Sequence, residues 1–130
     1  DSALVRRIGQ AVAEEMWAAH IDLNFSPAIS VPRDERWGRT YEGFGEIPEL
    51  VASLGAAYVG VIQGDNFDAE WRVPATVKHF LGDGATDKGY DRGNATISEE
   101  ELNEKHGIIE ESDNLPIILI QDIFKDLSFF

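Results

Sequence analysis

A chain of 130 residues, 43% hydrophobic and 10% aromatic, has the size and make-up of one small globular domain. Its net charge of −13 opposes nucleic acid and anionic membrane surfaces, both of which call for a basic face, and suits a neutral ligand such as a sugar. With no cysteine there is neither a disulfide framework nor a thiolate metal site, and no apolar run reaches the about 20 residues of a membrane span. The first residue is Asp1 and no signal-peptide pattern follows, which reads as an N-terminus processed, engineered or cut from something longer.

Residues 3–19 are expected to be helical, because Leu4, Ile8, Ala11, Val12, Met16 and Ala19 recur at helical spacing, with Ser2 as a cap. Residues 21–26 read as a strand that Pro27 closes. Residues 26–46 form a long irregular loop, and loops of that length inside a compact domain are usually functional. Pro48 suits a first helical position and opens a helix over 48–63, with Leu50, Leu54, Ala57, Tyr58 and Val61 on one stripe and Gly64 at its end. Residues 65–72 read as a surface connection, 74–80 as a buried strand and 82–97 as a second loop. Ser98 and Glu101 have the spacing of a capping box for a helix to about Glu111. Leu115–Gln121 is a third apolar run, expected as a strand, before a short helix or frayed tail over 122–130. This alternation predicts an α/β fold of helices and parallel strands, either a small open domain or half of something larger.

The chemistry-bearing stretch is PATVKHFLGDGAT, residues 74–86, where an apolar run meets a Gly- and Asp-rich loop at Lys78 and His79. In parallel α/β proteins function gathers at such strand ends. The plainer reading is a snorkelling lysine beside a hydrogen-bonded core histidine. The 33–46 loop, RDERWGRTYEGFGE, carries Arg33, Arg36 and Arg39 among the carboxylates Asp34, Glu35, Glu42 and Glu46. It is either a salt-bridged loop that holds its own shape or a polar wall in which an arginine fork grips a ligand. DGATDKGYDRGN, residues 83–94, invites a calcium reading, but Ala85 from one register and Gly89 and Arg92 from the other break the EF-hand pattern. Asn94-Ala95-Thr96 matches a glycosylation acceptor, His20 and His106 stand alone, and Glu14-Glu15 and Glu99–Glu101 read as solvated faces and helix-dipole partners. No motif calls for a metal or cofactor.

Together, IDLNFSPAISVPRDERWGRTYEGFGE, VPATVKHFLGDGAT and ISEEELNEKH resemble, in order and spacing, the β-glucosidase and exo-β-glucanase branch of glycoside hydrolase family 3. The resemblance covers residues 1 to about 107. It implies a partial TIM (β/α)8 barrel, one partial N-terminal domain over 1–130 with a diverged tail at 108–130. It also implies, for the complete enzyme, retaining hydrolysis of terminal non-reducing β-D-glucosyl residues. Arg39 of WGR and Lys78 and His79 of KHF match the family's sugar-binding arginine, lysine and histidine. The loop after KHF holds Asp83 and no histidine, which favours the glucosidase branch over the N-acetylglucosaminidase branch.

Retaining hydrolysis needs two carboxyl groups. By resemblance the nucleophile and the acid/base belong to later regions, so no catalytic residue is expected within these 130 residues. Asp113 and Asp122 do not stand in the nucleophile's place in the order of elements. Ile47 replaces an acidic residue that usually precedes the proline. The alternative reading is a catalytically inactive sugar-binding fragment. The resemblance further implies a β-glucoside or β-glucan oligosaccharide as partner and a secreted or periplasmic setting. An incomplete barrel would expose sheet edges that invite self-association.

Overall fold

The structure, a computed structural model, describes residues 1–64, 70–79 and 81–107. The described residues fall into two compact units. The first takes Asp1–Pro27 and those described within Ala56–Lys78, and the second takes Ala28–Gly55 and those described within His79–Asp113.

In the first unit, α1 (Ser2–Ala18) starts one residue earlier than expected because Asp1, not Ser2, is its cap: Asp1 Oδ1 accepts from the backbone N–H groups of Ala3 and Leu4 at 2.9 and 3.2 Å. A carboxylate also suits the positive end of the helix dipole. The apolar stripe is not the buried face. Gly9 and Ala13 are buried, while Leu4 and Ile8 stay about half exposed. A Cβ on Gly9 would lie 2.6 Å from Val61 and 3.4 Å from Tyr58, so small residues win that face by allowing close helix approach.

The helix ends in a Schellman motif. Ile21 N–H donates to the Met16 carbonyl at 2.9 Å and His20 N–H to that of Trp17 at 3.0 Å, with His20 left-handed at φ 56°. His20→Gly is therefore expected to raise stability by up to about 1 kcal/mol in urea denaturation, as glycine escapes the Cβ penalty there.

Helix α2 (Pro48–Gln63) has the bounds expected from its proline and glycine signals. Gly64, at φ 58°, donates to the Gly60 carbonyl at 3.1 Å and stops it. Burial is broader than the anticipated stripe: Leu54, Ala57 and Tyr58 are buried as expected, but so are Val51, Val59, Ile62 and Gln63, while Leu50 is exposed.

The expected α/β alternation of helices and parallel strands, and with it the partial TIM (β/α)8 barrel, is corrected by the structure. Among the described residues there are helices and turns but no strand, and the 21–26 and 74–80 runs meet at an isolated parallel bridge, Asn24 with Ala75. Asn24 N–H donates to the Pro74 carbonyl at 2.9 Å, and Thr76 N–H donates to that of Asn24 at 2.7 Å. A parallel ladder would continue with Lys78 donating to residue 26; it donates instead to the Pro27 carbonyl, at 3.1 Å. The register thus slips by one residue at a proline that has no N–H to give. On the other edge, Ala75 N–H is taken by the buried Gln63 Oε1 at 2.9 Å, a side chain standing where a neighbouring strand would be. The third expected strand, 115–121, and the tail 122–130 lie outside the described residues, and the sheet edges expected to drive self-association are not among the described elements.

In the second unit, Val31 and Val51 are fully buried, with Ile29, Phe44 and Ala52 packed against them. Ser98 caps α3 (Glu99–Leu102) as read, accepting from Glu101 N–H at 3.1 Å. Only half of the capping box forms, because the Glu101 carboxylate turns forward to Lys105 Nζ at 2.6 Å. The helix passes into a π-turn at Asn103–Gly107 after a single turn, and 108–111 lie outside the described residues.

His106 in that turn is buried with no hydrogen-bond partner at Nε2 among the described residues. Burial, with Arg33 nearby, pushes its pKa below the usual 6.5, and Glu101 opposes that shift. A depressed histidine is neutral when folded, so its contribution is complete above about pH 6.5 and is lost as pH falls through the lower folded value. Thermal melts are expected to drop between pH 7.5 and 5, by a smaller margin in His106→Gln; equal drops in both chains would refute this.

Candidate functional site

The second unit brings two loops against each other through glycines. Arg33 N–H donates to the Gly84 carbonyl at 2.8 Å, and a Cβ on Gly84 would sit 2.4 Å from the Val31 carbonyl oxygen. A Cβ on Gly89 would sit 2.5 Å from the Trp37 backbone nitrogen. Trp37 is itself buried, with its indole N–H 3.4 Å from Asp91 Oδ1. The loop carrying WGR is thereby fixed against the loop that follows His79.

The arginine loop is internally paired, as the self-shaping reading had it. Arg36 Nε donates to Asp34 Oδ1 at 2.8 Å, and this guanidinium holds the Asp34 carboxyl down at about 2. Arg33 Nη1 donates to the Glu46 carbonyl at 3.0 Å. Pro32, Arg33, Asp34, Glu35, Thr40 and Glu46 line a surface cleft of about 340 Å³, to which neither Arg39 nor His79 contributes.

Arg39 stands at the start of the tight turn Thr40–Glu42, which carries Glu42 back beneath it. Its Nε and Nη2 donate to the two Glu42 oxygens, each at 2.8 Å. This bidentate pair fixes the plane of the guanidinium, and the Glu42 hydrogen bond raises the arginine's pKa, with the charges of Asp83 and Asp91 adding to the effect. His79 Nδ1 lies 2.9 Å from Asp83 Oδ2, within ion-pair distance but off hydrogen-bond direction. Gly82, left-handed at φ 82°, turns the chain so that Asp83 returns toward the imidazole.

Of the three residues singled out from sequence, Arg39 is held by Glu42 and His79 lies against Asp83, and the charge of Asp83 is also felt at Arg39. Lys78 is the last residue of the first unit, half-buried. The sequence reading had Glu42 among the loop's carboxylates without pairing it to Arg39, and did not pair Asp83 with His79. Their spacing of three from Arg39 and four from His79 was the available signal. Asp87, considered for calcium, clips its own loop instead: Thr96 Oγ1 donates to Asp87 Oδ2 at 2.7 Å.

Residues 1–109 match the family described as the glycosyl hydrolase family 3 N terminal domain. The chain belongs to glycosyl hydrolase family 3. This agrees with the resemblance read from the three motif blocks. Among solved structures, the exo-1,3/1,4-beta-glucanase (ExoP) of a Pseudoalteromonas species is 46% identical with a TM-score of 0.77, over 82% of this chain and 14% of that one. The beta-glucosidase of Listeria innocua is 34% identical with a TM-score of 0.81, over 85% of this chain and 16% of that one. The periplasmic beta-glucosidase of Salmonella typhimurium is 34% identical over 98 residues, 75% of this family member and 13% of its relative. The chain therefore spans about one seventh of the length of these relatives.

Proposed function

We propose that this family 3 chain is part of a β-glucosidase-type glycoside hydrolase, in which Arg39, Lys78 and His79 bind the terminal glucosyl unit of a β-glucoside or β-glucan oligosaccharide. The observation that carries the reading is the carboxylate backing of two polar side chains: Glu42 holds Arg39 and Asp83 faces His79. Rigidly held donors meet sugar hydroxyls without losing side-chain freedom on binding. With Glu42 on the Nε–Nη2 edge, the Nη1 edge of Arg39 is assigned to a hydroxyl. Such bonds strengthen as an oxocarbenium-like transition state develops. Crystal structures of the Listeria innocua beta-glucosidase with glucose and of a mutant with laminaribiose support this class of ligand.

The setting is proposed as periplasmic or secreted, on the names of the Salmonella typhimurium relative and of a periplasmic beta-glucosidase/beta-xylosidase of Dickeya chrysanthemi, 36% identical. No helix among the described residues is long and apolar enough to cross a membrane.

Calorimetric titration of the 130-residue chain with glucose tests the binding reading. Saturable heat lost in His79→Ala is expected. Heat absent at high millimolar glucose, or unchanged in the variant, would sink it. An aryl β-glucoside assay alongside is expected to show no release above the blank.

A further inference from the structure

The first unit holds an aromatic feature that Arg39 and His79 do not use. Trp17, in the last turn of α1, and Trp71 lie with ring centroids 4.7 Å apart and planes tilted by 43°. Mutual packing of two indoles ordinarily hides them, yet Trp17 remains 43% and Trp71 39% exposed. Trp71 is held at φ 66°, a left-handed conformation that a bulky side chain adopts only when its surroundings impose it. They do so here. Arg72 Nη1 donates to the Val61 carbonyl at 2.6 Å, its guanidinium lies over Gly64, and Val73 N–H donates to the Ile62 carbonyl at 3.0 Å. The residues after Trp71 are thus tied to the end of α2. Trp17 is set from the other side by the Schellman motif that closes α1, in which His20 N–H takes its carbonyl.

A strained tryptophan kept at the surface beside a second one needs a role, and solubility argues against leaving it bare. We propose that Trp17 and Trp71 form an aromatic platform that binds pyranose rings of a neutral β-glucan chain. The apolar C–H face of a β-linked glucose is weakly electropositive and suits the electronegative face of an indole. The net charge of −13 turns away anionic polymers while leaving neutral ones unaffected. His20, three residues after Trp17, and Glu70, the residue before Trp71, are both exposed and are the polar groups proposed to meet ring hydroxyls. The inference takes only its substrate class from the proposed function and uses residues of the first unit alone.

Native electrophoresis of the 130-residue chain in gels with and without barley β-glucan tests it. Retardation of the unaltered chain is expected, weakened about threefold to tenfold in Trp17→Ala and in Trp71→Gly. Glycine is chosen at 71 because it accepts a positive φ, so the turn survives loss of the ring. Arg39→Ala should lose the glucose heat yet, since a long polymer offers few terminal units, still be retarded more strongly than either tryptophan variant. This separates failure of the platform from failure of the Arg39–His79 reading. Without any substitution, barley β-glucan should also shield tryptophan emission from acrylamide while glucose does not, since Trp37 is already buried. Absence of retardation, retardation of both tryptophan variants equal to that of the unaltered chain, or loss in Arg39→Ala alone overturns the proposal. So does a mass by light scattering that rises with concentration and falls back in the tryptophan variants, which would make the pair an interface between copies of the chain.

Discussion

Gly89→Ala is expected to destabilise the protein by about 3 kcal/mol or more, read as a fall in the urea midpoint at unchanged slope. Two independent effects meet at this position. The backbone is left-handed at φ 69°, where any Cβ is strained, and the added carbon would lie 2.5 Å from the Trp37 nitrogen and 2.9 Å from the Arg36 carbonyl carbon. Both contacts are to backbone, so no flexible side-chain end can move aside. Gly38→Ala is the control, because a Cβ there meets nothing within 4 Å; it should change stability by less than about 0.5 kcal/mol. Matching midpoints for the two variants would show that the loops are not in contact at Gly89. The consequence reaches function, since this contact fixes the WGR loop that carries Arg39.

Arg39→Ala is expected to weaken glucose binding about tenfold to a hundredfold, the range for losing one charged hydrogen-bonding group. Glu42→Gln separates contact from positioning. It keeps the size of the side chain but gives up the charge-assisted fork, so affinity should fall by less than in Arg39→Ala. The heat of binding should become less favourable as the guanidinium loses its fixed plane. A Glu42→Gln variant that binds like the unaltered chain would leave the pair a surface feature of no consequence for the ligand.

Features that depend on a few neighbouring residues are legible in the amino-acid order. Helix α2 begins at Pro48 and stops at Gly64 because a missing N–H and a left-handed turn are constraints satisfied within one helical turn. Ser98 caps α3 for the same reason. The three motif blocks were long and specific enough to point to family 3 over residues 1 to about 107, against the match over 1–109.

Features that depend on a distant partner are fixed by packing and could not be read from any one segment. The 21–26 and 74–80 runs have strand-like residues, but a strand exists through its ladder. Here the slip at Pro27 and the capture of Ala75 N–H by Gln63 leave an isolated bridge. The buried face of α1 followed Gly9 and Ala13 instead of Leu4 and Ile8, because the approach of Tyr58 and Val61 rewards small side chains. The contact of Gly89 with Trp37 and the pairing of Trp17 with Trp71 each join residues far apart in the chain. Hydrophobic period and turn chemistry report on a residue's own segment; which segment lies opposite is settled by packing.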